Sequence, residues 1–293
     1  MKVILKQEGS STFQHFLLSG YKQMILEKIL THLRETHQDY ISDLTIANLR
    51  VGLYLAAVEL SDGSIGIASA ETDPEIICAK HLRDYGEFTP LKIQGRKVIE
   101  LLESPKKSAL VRTLKVAVLN AVSIRIIERN NYKVIRNTDP IDLLDLSGQK
   151  TITMVGAFQS YIKKISATKN KLSVLEFNEN ALLAEHRHYY VPAIKFTEIL
   201  PVSDIVIITG LTLVNDTIDD LLANCRPDSR IVITGPSSSM IPDVLFKQNV
   251  SILGGIRIIK PEQVFPLVGQ GAAGYHLFEY CAEKICILNE KQQ

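Results

Sequence analysis

Three short apolar runs in this chain, rich in β-branched residues, each close on a glycine and give way to polar residues. They are Thr151 to Gly156, Asp204 to Gly210 and Arg230 to Gly235. Runs of this kind, alternating with stretches of helical period, predict buried parallel strands of a doubly wound sheet. The spacing predicts strands over 151–155, 172–177, 204–209, 230–234 and 250–253, with helices near 159–167, 193–200, 216–225 and 241–248 between them. Two further helices, near 261–268 and 273–284, are expected to close this half.

The first half has a different rhythm. From Phe13 to Leu33 apolar residues fall at helical spacing, with Phe16, Leu17, Tyr21, Met24, Ile25 and Ile29 on one face. Val51 to Leu60 and Ser64 to Ala70 are apolar runs joined through Asp62 and Gly63, a hairpin signal. A short helix is expected near 95–103 and a long one from about Ser108, which can cap it, to Asn130. The segment before Pro140 breaks the helical period, so the expected domains are 1–140, of α+β type, and 141–293, of α/β type.

Charge narrows the partners. Lys and Arg number 33 against 32 for Asp and Glu, a formal charge of +1. Nucleic-acid binders normally carry a basic excess, so no nucleic-acid partner is expected. The apolar stretch from Leu110 to Ile127 contains Arg112, Lys115 and Arg125, which makes it a poor bilayer span and a good buried helix. No membrane partner is expected, the start lacks a secretory signal, and the cytoplasm is the expected location. Cys78, Cys225, Cys281 and Cys286 are unevenly spaced and form no CxxC, which reads as reduced thiols rather than a disulfide framework or a shared metal site. A homo-oligomer is left open.

The candidate chemistry gathers at the predicted strand ends. Gly156 stands where a dinucleotide fold places its phosphate turn, but Phe158 occupies the position of the second glycine, which argues against standard NAD binding. Glu176 follows 20 residues later, where a carboxylate would hold ribose hydroxyls. The turn carrying Thr209, Gly210, Thr212 and Asn215 holds more polar groups than one helix cap requires. Gly235, Pro236 and Ser237 open a hydroxyl-rich turn suited to an anion or carboxylate ligand. Asn120 lies in the apolar long helix; a buried amide there either ties helix to hairpin or reaches a ligand. His186 and His188 would face one side only in an extended backbone, so a solvated loop is the better reading.

Residues 116–124, 204–217, 235–239 and 268–272 together resemble the putative heavy-metal chelation family. The resemblance implies an N-terminal domain like that of enolase joined to a C-terminal Rossmann-like domain, with a site in the cleft between them. It places the family's Asn-Ala on Asn120 and Ala121, its strand-end acid on Glu176, its Thr-Gly turn on Thr209 to Asn215 and its Gly-Pro-Ser turn on Gly235 to Ser237. Leu211 stands where the family often has threonine, and Ala157 and Phe158 replace a more polar turn. The resulting expectation is a two-domain protein that binds a small polar or metal-chelating molecule, with action on that molecule left open. No cofactor is named by the residues; a metal ion is expected inside a small-molecule complex rather than in a thiolate cage. The alternatives are a Rossmann-type enzyme using a nucleoside-containing cofactor such as S-adenosylmethionine through Glu176, and a non-catalytic metal-handling protein.

Overall fold

A computed structural model describes residues 24–70 and 84–290. The expected helical positions Phe16, Leu17 and Tyr21, and Cys78, lie outside them. The first helix described, α1 (Ile25–Ser42), buries Ile25, Ile29 and Leu33 at the expected spacing. Strands β1 (Ile46–Val51), β2 (Leu55–Leu60) and β3 (Ile65–Ser69) form a three-stranded antiparallel sheet. The hairpin between β2 and β3 turns through Asp62, whose Oδ1 accepts from the Ser64 N–H at 3.0 Å, and through Gly63 at φ 79°.

Helices α2 (Val98–Glu103) and α3 (Ala109–Arg129) follow. Helix α3 is buried on nearly every side, as its mostly apolar sequence requires. It meets β3 at Gly66, where an added Cβ would stand 2.0 Å from the Ala117 carbonyl oxygen, so only glycine permits this approach.

The second sheet contains eight strands in the order β4-β11-β10-β9-β8-β5-β6-β7. They are β4 (Lys133–Arg136), β5 (Thr151–Val155), β6 (Lys171–Glu176), β7 (Tyr190–Pro192), β8 (Ile205–Thr209), β9 (Arg230–Thr234), β10 (Val250–Ile258) and β11 (Ala282–Leu288). From β10 to β7 the pairing is parallel throughout, in the order of a doubly wound dinucleotide-binding fold. The protein is therefore α/β, a Rossmann-like parallel sheet preceded by an α+β region. The chain enters the large sheet at Lys133, seven residues ahead of the division expected at 140.

Helices α4 (Gln159–Ser166), α5 (Phe196–Ile199), α6 (Leu211–Val214), α7 (Ile218–Asn224), α8 (Asp243–Phe246), α9 (Pro261–Gly269) and α10 (Gly274–Tyr280) complete the described chain. Strand alternation decides the layers. Val206, Ile208, Ile231 and Ile233 face a core shared with α1 and α3, while Ile205, Ile207 and Val232 face α4 through Ile162 and Ile165. At about 1.5–3 kcal/mol for each large apolar side chain buried, the shared core binds the two regions strongly.

Two expectations fail in the second half. The segment expected as a helix over 273–284 ends as a helix at Tyr280 and continues as β11, which pairs antiparallel with β10 and β4. Ile285 and Ile287 are buried there, and a strand satisfies their backbone between two neighbours. Strand β10 also runs beyond 253 through Gly254 and Gly255, to Ile258. These glycines admit Pro140 and Ser239 against the strand rather than ending it, since added Cβ atoms would lie 2.2 and 2.7 Å from those side chains.

Candidate functional site

In sequence order the parallel strands run outward from β5 through β6 to β7, and the chain then returns to the other side of β5 to place β8. The order reverses between β5 and β8, where doubly wound sheets hold their ligands beyond the carboxyl ends. A cleft of about 460 Å³ opens at that point, within the size range of small-molecule sites. Gly156, Glu176, Thr209, Thr212 and Asn215 all line it, together with Leu211, Thr217 and Asp220.

Gly156 adopts φ 93°, a conformation side-chain-bearing residues rarely take, and an added Cβ would press on Thr209 Cγ2 at 3.0 Å. The turn after β5 therefore lies directly against the end of β8. Glu176 is held from both sides. Its Oε2 accepts from the Ala157 N–H at 3.2 Å, and its Oε1 from the Phe177 N–H at 2.9 Å. Each carboxylate oxygen can accept a second hydrogen bond, so the group stays available while its position is fixed.

The turn after β8 stiffens itself. Thr212 Oγ1 donates to the Thr209 carbonyl at 2.7 Å, and Thr209 Oγ1 accepts from the Leu211 N–H at 3.3 Å. Asn215 Oδ1 accepts from the Thr217 hydroxyl at 2.7 Å and its N–H at 3.3 Å, which closes the turn that leads into α7. Asp216 sits at φ 59°, and burial pushes its carboxyl above the ordinary range against the pull of Arg112. Phe177 and Ile194 stand on the rim at 79% and 80% exposure, so the mouth is apolar while its floor carries the polar groups.

The remaining expected site residues point away from this cleft. Asn120 donates from Nδ2 to the Ile67 carbonyl at 2.7 Å and the Pro236 carbonyl at 3.3 Å. Ser237 Oγ accepts from the Ser69 N–H at 2.8 Å, and Ser238 Oγ lies 2.6 Å from the Gly254 carbonyl oxygen. Gly235, at φ 133°, donates its N–H to the same carbonyl at 3.2 Å. This turn is a buried joint between β3, α3 and the large sheet. Gly210 separates it from the cleft: its N–H donates to the Thr234 carbonyl at 2.8 Å, and an added Cβ would meet Ser237 Cβ at 3.3 Å. The structure thus brings all the expected residues into one neighbourhood and divides them between an open side and a sealed one.

His186 and His188 lie in a 3-10 helix (Ala184–Tyr189), not in extended backbone. Among the described residues no group of three or more His, Cys, Asp or Glu side chains is placed to hold a metal ion. Cys225, Cys281 and Cys286 are free thiols, and burial pushes Cys225 and Cys286 up to about 12, far from the thiolate form that binds metals. The described donors do not fit a bare heavy-metal ion. No described helix is long and apolar enough to cross a membrane.

Sequence analysis missed a second cavity, of about 230 Å³, between the two sheets. Arg125 and Glu128 of α3, Arg257 of β10 and Asn120 line it. Arg125 had counted only against a bilayer span; a charged residue within an otherwise buried helix was the available signal.

Residues 139–287 match the DUF364 family, described as putative heavy-metal chelation, and residues 34–123 match the DUF4213 family, which carries the same description. A protein of unknown function from Pyrococcus horikoshii is similar in structure, with a TM-score of 0.72 and 23% identity over 91% of this chain and 100% of that one. Another, from Desulfitobacterium hafniense DCB-2, gives a TM-score of 0.67 and 17% identity over 92% and 100%. At these identities the likeness establishes the fold. No curated protein matches the chain.

Proposed function

This chain belongs to the putative heavy-metal chelation family, and from that premise we propose that the cleft beyond β5, β6 and β8 binds a small polar molecule able to chelate a metal ion. The observation that carries the reading is the Glu176 carboxylate, fixed by two backbone N–H groups at the reversal point of the sheet. A preoriented acceptor avoids the cost of ordering a side chain on binding. The metal enters as part of the ligand, since the described donors form no cage for a bare ion. The apolar rim of Phe177 and Ile194 suits the organic body of a chelator, and the floor suits its hydroxyl or amide groups.

Glu176 also favours a second reading, a nucleoside-containing cofactor such as S-adenosylmethionine, because it ends the second strand of the parallel series where a carboxylate holds ribose hydroxyls. One thermal-shift experiment tests both. The probes are Ni²⁺ alone, its citrate and catechol complexes, and adenosine. Ligand at a hundred times its Kd adds about 2.7 kcal/mol of stability. The proposal expects a complex to raise Tm beyond Ni²⁺ or chelator alone, and Glu176→Gln to remove the rise. A rise with adenosine only supports the second reading; equal rises with bare Ni²⁺ and its complexes contradict the first.

A further inference from the structure

The cavity between the sheets has no role in that proposal, yet its lining is chemically specific. Asn120 is 1% exposed and lines it, and its Oδ1 finds no hydrogen-bond donor. A buried amide oxygen without a partner is uncommon in native proteins, and a ligand or bound water is the usual explanation. Its Nδ2 is already committed to Ile67 and Pro236, which fixes the orientation of the amide and leaves the oxygen as an acceptor.

Two guanidinium groups and one carboxylate supply the charges of the lining, beside Ser64 and Ser239. Arg257 Nη1 donates to Glu283 Oε1 at 3.1 Å, but its Nε lies 3.6 Å from Glu128 Oε1, within ion-pair range and too far for a hydrogen bond. Arg125 reaches Glu128 Oε2 from Nη1 at 3.4 Å and the Asp62 carbonyl from Nη2 at 3.5 Å, and its Nε stands 3.9 Å from Asp62 Oδ2. Each guanidinium carries five N–H donors, so most of this capacity is unspent. A simple anion here would meet Glu128, and a simple cation would meet both arginines. Only a ligand bearing both charges matches both signs.

The geometry points to a binding site for a free amino acid, its carboxylate on Arg125 and Arg257 and its ammonium on Glu128, with Asn120 Oδ1 left to accept from a polar side chain of the ligand or from a bridging water. A cavity of about 230 Å³ falls below the range for drug-sized ligands and sets the scale at one small zwitterion. Ile65, Ile124 and Ile256, also in the lining, give its side chain an apolar bed. This site is independent of the cleft at Glu176.

The test is a thermal-shift screen of the whole chain with glycine, serine, glutamate, methionine and histidine at millimolar concentration, with acetate and methylamine as the separated halves. At least one amino acid should raise Tm, and neither half should. Glu128→Gln and Arg257→Gln should each weaken that amino acid about tenfold or more by calorimetry, a loss of about 1.4 kcal/mol. Arg125→Lys is the second variant should Arg257→Gln not fold. Glu176→Gln should bind the amino acid as the wild type does. No shift with any of the five, an equal shift with acetate, or a shift abolished by Glu176→Gln but kept by Glu128→Gln would overturn the inference.

Discussion

Two hydroxyl-rich turns follow neighbouring strands of the same sheet, and the structure uses them in opposite ways. The turn after β9 directs Ser237 and Ser238 inward, onto the Ser69 N–H and the Gly254 carbonyl, and its serines are buried. The turn after β8 binds mainly to itself through Thr209, Thr212, Asn215 and Thr217, and stays open to the cleft. The difference lies in what packs above each strand. Strand β3 and helix α3 hydrogen-bond the turn after β9 at Ser237 and Pro236, whereas Thr209, Thr212 and Asn215 after β8 line the cleft with Phe177 and Ile194. Polar density alone therefore does not mark a site; a site also needs polar capacity left over after the local structure is satisfied.

If that contrast is right, substitutions on the sealed side should cost stability and those on the open side binding. The largest effect is expected from Asn120→Ala, which strips partners from the buried Ile67 carbonyl and the Pro236 carbonyl. A loss of roughly 2–4 kcal/mol in denaturant unfolding is expected, at about 1–3 kcal/mol for each unsatisfied group. Ser237→Ala leaves the Ser69 N–H without its acceptor and should cost about 1–2 kcal/mol, with no change in affinity for the cleft ligand.

On the open side Asn215→Ala removes the two hydrogen bonds that close the turn before α7, worth about 1 kcal/mol, and should weaken the chelate complex by more than that loss of stability suggests. The smallest effect is expected from Asp216→Asn. Burial raises the Asp216 carboxyl above its ordinary value of 3.8, so the folded protein carries a penalty once that group ionises. The side chain is 46% exposed and Arg112 lies 3.7 Å away, so the variant should gain less than about 1 kcal/mol at neutral pH. The gain should shrink as pH falls through the raised folded value, and vanish below 3.8, where both forms are neutral. A gain that grew on acidification would contradict the assignment.

The parallel strands were legible because buried strands of this kind are continuous apolar runs, and β5, β6, β8 and β9 stand within a residue of where the pattern puts them. Strand β1 was not. Its sequence Ile-Ala-Asn-Leu-Arg-Val is largely exposed or half-buried beyond Ile46, so it has no clean period. Gly254 and Gly255 looked like a strand end, because nothing local discloses that Pro140 and Ser239 press against them. The same limit applies to the site. Gly156, Glu176 and Asn215 could be placed by topology, but the partners of the Asn120 amide nitrogen and of Ser237 stand 53 and 168 residues away in sequence, and only the packing of α3 and β3 shows where they are engaged.

Hydrogen exchange, read with and without the nickel complex that stabilises the protein most, tests the contrast most directly. The account predicts slower exchange at 156–158, 176–177 and 210–217, around Glu176 and Asn215, and unchanged exchange at 66–69 and 235–239. Protection confined to 66–69 and 235–239, with none around Glu176, would contradict it.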